Sequence, residues 1–136
     1  MVEYKWIKPA PNEYKQLLEV VGWTSIMTVS DEALRMAIDN SWQWVSVFDD
    51  SRLIGIGRLI SDGALYALVC DMIVLPEYQN RGIGSSILKM LKDKCAKHNI
   101  QRVWLFAASG RSDFYLKNGF EIRPENAPGM QMKGIC

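Results

Sequence analysis

The stretch from Ala64 to Ser85 limits the fold more than any other part of the chain. Ala64 to Leu75 is a near-continuous apolar run, Pro76 breaks it, and Gln79-Asn80-Arg81-Gly82-Ile83-Gly84 follows. An apolar run of this length fits a strand buried on both faces, with other layers covering it above and below. Beyond the glycines, Ile83, Ile87, Leu91 and Cys95 recur at every fourth position while Lys89, Lys92, Asp93, Lys94 and Lys97 take the other side. That spacing predicts an amphipathic helix to about His98. Arg102 to Ala107 is apolar again, so strand, helix and strand predict a right-handed crossover between parallel neighbours.

The rest of the chain supplies the layers this unit requires. Tyr4 to Ile7 reads as a short strand ended by Pro9 and Pro11. Asn12 as N-cap, the stripe Tyr14, Leu17, Leu18, Val21 and the stop at Gly22 predict a first helix. Ser30 as a cap with Asp31 and Glu32 behind it opens a second, striped by Ala33, Leu34, Ala37 and Ile38. Trp42, Trp44, Ser46 and Phe48 alternate with Gln43, Val45 and Val47, a strand that turns at Asp49-Asp50-Ser51 and returns over Arg52 to Ile60. Gly55 and Gly57 inside that return strand imply a bulge or the close approach of another backbone. A turn at Ser61-Asp62-Gly63 leads into the central strand. Ser112 to Asn118 is a short helix closed by Gly119, and Phe120 to Ile122 with Met130 to Lys133 predict a closing antiparallel pair. The expected class is α/β: one domain over residues 1–136, with a mixed, mostly antiparallel sheet and helices on both faces.

Composition narrows the partners. Of 136 residues, 49% are apolar and 23% charged, and the formal net charge is +1. No global charge favours a nucleic acid or an anionic membrane, so any anion must be recognised locally. The three cysteines, Cys70, Cys95 and Cys136, are odd in number and lack metal-ligand spacing, and they are read as reduced thiols. The N-terminus shows no signal-peptide run, and no segment approaches the roughly 20 apolar residues of a membrane span. A cytoplasmic location and no metal are the expectations.

Glycines at 82 and 84, after a buried strand and before a helix, leave backbone N–H groups free at the positive end of a helix dipole, and Arg81 adds a fixed charge. This arrangement suits a diphosphate, although a plain tight turn has the same residues. A nucleotide-hydrolase loop would place Lys and then Ser or Thr after the last glycine, whereas Ser85-Ser86 follow here. A dinucleotide fold would put three glycines near the first strand.

Val74-Leu75-Pro76-Glu77-Tyr78-Gln79-Asn80-Arg81-Gly82-Ile83-Gly84 resembles the acetyl-CoA motif of the GCN5-related N-acetyltransferase superfamily. Phe114-Tyr115-Leu116-Lys117-Asn118-Gly119-Phe120 resembles its second motif, so the likeness covers Leu68 to Phe120. The resemblance implies a sheet split at its central strands and a bulge in the strand before the turn. The pantetheine arm of acetyl-CoA would then pair with the backbone of Met72, Ile73 and Val74. Gln79, Asn80, Arg81, Gly82, Ile83, Gly84 and Ser85 would cradle the pyrophosphate, the last five through their N–H groups. A backbone N–H near the bulge would face the developing oxyanion. Tyr115 matches the tyrosine that protonates the departing thiolate in many members, and aromatic packing is its other reading. Where some members carry a glutamate as base, this chain has Leu68. A dimer through the C-terminal strands is implied by the same likeness.

Asp71 stands alone as a carboxylate in an apolar run, a costly place unless it is hydrogen-bonded or functional. It is the candidate base beside an ordered water, and equally a structural acid tied to a backbone N–H or an arginine. Trp23, Thr24 and Ser25 lie in the loop between the first two helices, which in the superfamily borders the acceptor pocket. Arg58 and Arg111 are open to an acidic acceptor group, a cofactor phosphate or surface salt bridges. His98 reads as a solvated helix cap and Cys70 as core. The expected activity is transfer of an acetyl group from acetyl-CoA to a primary amine, a small molecule favoured, by direct attack in a ternary complex. The rivals are an acetyl-CoA sensor or partner subunit without catalysis, another acyl group, or a protein amine.

Overall fold

The computed structural model describes residues 1–134, and the chain falls into two compact units, Met1–Leu105 and a second from Phe106 onward. The first unit holds β1 (Val2–Lys5), α1 (Pro11–Val20), a 3₁₀ turn at Thr24–Thr28, α2 (Asp31–Asp39), β2 (Gln43–Asp49), β3 (Arg52–Ser61), β4 (Tyr66–Val74), α3 (Ile83–Lys97) and β5 (Arg102–Leu105). The strands form one sheet in the order β1-β2-β3-β4-β5. The first three pairings are antiparallel, and β4 with β5 is parallel.

Several boundaries differ from the sequence reading for local reasons. The first strand is Val2–Lys5 rather than Tyr4–Ile7, because the Ile7 carbonyl leaves the ladder and accepts from Ser46 Oγ at 2.8 Å. Helix α1 begins at Pro11, not behind an Asn12 cap. The Ala10 N–H donates to Glu13 Oε1 at 3.2 Å, and proline loses nothing at a first position whose N–H has no helical partner. Gly22 at φ +92° follows the last turn, which leaves Val21 exposed. Ser30 caps α2 as the sequence predicts, its Oγ accepting from the Ala33 N–H at 3.1 Å.

Helices cover both faces of the sheet. On one face α3 lies so close to β3 that a Cβ at Gly57 would collide with Ile87 Cγ2, and would stand 3.0 Å from Leu91 Cδ1 and 3.1 Å from Met72 Sδ. At Gly55 the same atom would meet the Ile73 carbonyl oxygen at 3.3 Å. Side-chain contact thus explains one glycine of β3 and close backbone approach the other. On the opposite face Arg58 points toward α1 and α2, where Tyr14, Leu17, Leu18, Leu34 and Ile38 are buried.

The β3–β4 ladder contains a misfit. Ile56 pairs with Ile73 and Arg58 with Cys70, so Gly57 alone is opposed by both Asp71 and Met72. This is a bulge on β4, and Asp71 takes φ +50°, left-handed backbone for a non-glycine residue. Strand β5 pairs only with Tyr66 to Val69. Over Cys70 to Val74 no strand is paired to that edge of β4 among the described residues. The sheet is therefore split where β4 bulges.

The second unit contains α4 (Ser112–Lys117), followed by Gly119 at φ +88°. The expected antiparallel pair of Phe120 to Ile122 with Met130 to Lys133 does not form. Instead the Ala127 N–H donates to the Pro124 carbonyl at 2.9 Å and Arg123 Nε to the Ala127 carbonyl at 2.8 Å, closing a turn. Pro124 and Pro128 lack N–H donors for a ladder, and the apolar alternation on either side spans too few residues to outweigh them. Cys136 lies outside the described residues.

Gly57→Ala is expected to destabilise the fold by about 1–3 kcal/mol, because the Ile87 side chain and the backbone it rests on must move together. Chemical denaturation of the two proteins checks this, and equal midpoints would disprove the tight α3–β3 contact.

Candidate functional site

The bulge and the turn behind β4 form one continuous feature. After Val74 the Leu75 N–H still reaches the Ile54 carbonyl at 2.9 Å, and a 3₁₀ turn at Pro76–Tyr78 then redirects the chain. Gln79 Nε2 donates back to the Val74 carbonyl at 2.9 Å, so this side chain braces the turn against the strand. The Tyr78 hydroxyl donates to Asp49 Oδ2 at the β2–β3 hairpin, and the Arg81 guanidinium lies over the Tyr78 ring at 5.3 Å. That hydrogen bond, the largest cause, holds the Asp49 carboxyl below its usual range.

Asn80 at φ +62° and Gly82 at φ +81° turn the backbone into α3. The first helical bond runs from the Ser86 N–H to the Gly82 carbonyl at 3.1 Å. The N–H groups of residues 82–85 precede it, and a helix leaves such donors unpaired. Among the described residues nothing lies within 4 Å of a Cβ built at Gly82. The turn thus offers donors, a positive dipole end and clear space, which fit a phosphate group. The edge of β4 beside it, running along Met72, Ile73 and Val74, has no strand paired to it among the described residues, which fits an extended amide-bearing arm.

Asp71 is held at the bulge by a cluster of which the sequence reading foresaw only an arginine partner. Its Oδ2 accepts from the Tyr14 hydroxyl at 2.6 Å and from Arg58 Nη1 at 3.0 Å, and Arg58 Nη1 also donates to the Tyr14 oxygen at 3.1 Å. Arg58 Nε donates to Ser41 Oγ at 2.7 Å and Nη2 to the Ala37 carbonyl at 3.4 Å, while the guanidinium lies over Trp44 at 5.4 Å. The Arg58 and Asp71 side chains are only 15% and 18% exposed. Arg58 is therefore an interior ion-pair partner, not a surface bridge. Of the two readings of Asp71, the acid tied to an arginine is the geometry found. Burial, and then the Asp71 charge, push the Tyr14 phenol well above its ordinary value. A signal was available: a tyrosine on a buried helix face, an acid in an apolar strand and an arginine in the adjacent strand each need a partner.

Residues 71–85 are thus brought together. In the loop beyond α1, Trp23 is half-exposed and donates from Nε1 to Ser25 Oγ at 2.8 Å, with Thr24 opening the 3₁₀ turn. His98 caps α3 with its ring edge-on to Trp42 at 5.0 Å. Cys70 and Cys95 are free thiols, and burial raises both. Tyr115 belongs to the second unit, where its ring meets Phe114 and Phe120 edge-on at 5.0 and 6.0 Å. Burial raises its phenol, with Arg111 acting in the opposite sense.

Comparison with known proteins agrees with this geometry. The model of the acetyltransferase (GNAT) domain matches residues 13–135, and the chain belongs to the GNAT acetyltransferase family. It is 36% identical over 121 residues to an uncharacterized ycf52-like N-acetyltransferase of Prochlorococcus marinus, a match covering 83% of this chain and 63% of that protein. Over 81 residues it is 40% identical to the chloroplastic GCN5-related N-acetyltransferase 2 of Arabidopsis thaliana, covering 60% of this chain and 31% of that protein. The chain thus spans from about a third to just under two thirds of the length of these two curated relatives. A solved Staphylococcus aureus protein described as a probable acetyltransferase superposes with a TM-score of 0.85 at 28% identity, covering 98% of this chain and 99% of that one.

The Tyr14 cluster carries a pH signature. The folded chain holds the Tyr14 proton more tightly than the unfolded chain does, so the stability gained is full below about pH 10 and is lost as pH rises beyond it. Melting temperatures of the native chain are expected to fall more steeply above pH 10 than those of Tyr14→Phe. Parallel curves would contradict the burial of this phenol.

Proposed function

We propose that the chain transfers the acetyl group of acetyl-coenzyme A to a primary amine by direct attack within a ternary complex. The observation that carries this reading is the unpaired β4 edge, which runs directly into a turn with a left-handed, sterically open Gly82. Backbone groups of Met72, Ile73 and Val74 would hold the pantetheine arm. Gln79, Asn80 and Arg81 shape and charge the turn, and the N–H groups of Arg81 through Ser85 would hold the pyrophosphate. The thioester that acetyl-CoA supplies is the activated acyl donor. A backbone N–H at the bulge is suited to the oxyanion that develops there.

Tyr115 is the proposed general acid. A phenol raised above its usual value by burial keeps its proton at neutral pH and can deliver it to a leaving thiolate. For the base, an ordered water is favoured over Asp71, whose Oδ2 already accepts from Arg58 and Tyr14. Trp23, Thr24 and Ser25 are proposed to border the acceptor. A small amine is the first acceptor class to test, against a lysine peptide as the alternative.

The test is release of free thiol from acetyl-CoA with polyamines, amino acids, aminoglycosides and a lysine peptide, beside calorimetric titration of acetyl-CoA. Binding together with thiol release driven by one amine class is the expected result, and absence of binding would remove the reading. Gly82→Val should weaken acetyl-CoA about 10- to 100-fold, since a β-branched residue is strained at this φ and fills the open space. Unchanged affinity would displace the pyrophosphate from this turn. Tyr115→Phe should leave that affinity nearly intact while turnover falls about 10- to 1000-fold, and equal turnover would take Tyr115 out of the mechanism.

A further inference from the structure

We infer that Tyr14, Arg58 and Asp71 form a positioning clamp, which fixes the β4 bulge so that the segment Met72 to Val74 lies along the open edge with its outward backbone groups in register. The inference rests on the acetyl-CoA reading of that edge and concerns how the edge is made.

A left-handed residue inside a strand departs from the extended backbone that ladder pairing requires, so its surroundings have to hold it there. Asp71 is enforced from two elements at once. Arg58 reaches it from β3, one position along from the Gly57 that the bulge opposes, and Tyr14 reaches it from α1. Arg58 is itself fixed, because Nε, Nη1 and Nη2 all donate and the guanidinium lies over Trp44. On the other face of the sheet Gly57 leaves room that Ile87, Leu91 and Met72 occupy. The two bulge residues are therefore gripped from opposite sides, Asp71 by charge and Met72 by packing. If Asp71 returned to extended backbone, the extra residue would have to be absorbed along β4. A slip of one residue reverses which groups face which side, so the groups offered to the arm would turn away. The cluster lies on the α1/α2 face of the sheet and need not touch the ligand to control its affinity.

The experiment measures acetyl-CoA affinity by calorimetry, turnover, and backbone amide shifts of the ligand-free protein. The variants are Asp71→Ala, Asp71→Asn, Arg58→Met and the double variant Arg58→Met/Asp71→Gly. Asp71→Ala and Arg58→Met are expected to shift the amides of residues 70–74 and to weaken acetyl-CoA about tenfold, equivalent to about 1.4 kcal/mol. Asp71→Asn should lose no more than about threefold in affinity, because asparagine tolerates left-handed backbone and still accepts from both donors. The double variant removes both charges and places glycine at the strained position, so it should regain much of the lost affinity. Should either single variant fail to fold, the asparagine and double variants decide. Loss of turnover in Asp71→Asn with affinity retained would make Asp71 a base and overturn the clamp. Unchanged amides at 70–74 in Arg58→Met would overturn it as well. Failure of the unaltered protein to bind acetyl-CoA would instead sink the cofactor reading, while the amide shifts still judge the clamp.

Discussion

One residue of β3 opposed by two of β4 is the constraint on which the rest of the molecule depends. A regular ladder would carry β4 flat past its neighbours and leave no reason for β5 to stop pairing at Val69. The bulge adds local twist and bends the strand, and beyond it β4 diverges from β5, with no strand paired to that side among the described residues and the Val74 carbonyl held by Gln79 Nε2. Such an edge invites another chain, and here the glycine turn lies at its end. Gly57 makes the arrangement possible from within, since any larger residue would push α3 off the sheet at the point where the bulge must form.

The ion pair beside the bulge is better understood as a specifier of conformation than as a source of stability. A mostly buried guanidinium and carboxylate cost much of their attraction in lost hydration, and well-packed apolar residues often do as well. What apolar residues cannot do is select a left-handed backbone at one position. A carboxylate with two fixed donors on one side of the sheet can, because its hydrogen bonds are directional and their loss would leave charge buried. On the proposed reading the cluster turns side chains of α1 and β3, braced by the Ala37 carbonyl of α2, into control over the backbone geometry of β4.

Much of this was legible in the chain itself. The apolar run through Leu75, the glycines at 82 and 84 and the four-residue spacing from Ile83 to Cys95 foretold β4, the turn and α3, because each is a local pattern with a local cause. The Ser30 cap and the stop at Gly22 were legible for the same reason. The start of α1 was not, because Pro11 with Glu13 is as good a local solution as an Asn12 cap. The closing strand pair failed because strand pairing is a long-range property, and a few alternating residues between prolines cannot specify it. The Tyr14–Arg58–Asp71 cluster was hidden for a similar reason: its members lie on three different elements, and only the register of β3 against β4 together with the packing of α1 on the sheet brings them together.

This division also explains why the donor side of the reaction can be read more easily than the acceptor side. A polyanionic donor such as coenzyme A is met by backbone groups whose directions follow from a bulge, a turn and a helix start, and those leave marks in glycine placement. With a net charge of +1, the chain has no broad positive field to gather such a ligand, so on the proposed reading its recognition is concentrated in one turn with Arg81 and a helix dipole. In the proposed reaction an acceptor amine would be met by side chains on loops. In Trp23 to Ser25 the same residue types satisfy one another, the indole N–H donating to the Ser25 hydroxyl. Their chemistry is common to many surfaces, so selectivity for one amine would come from shape, which a linear pattern does not record.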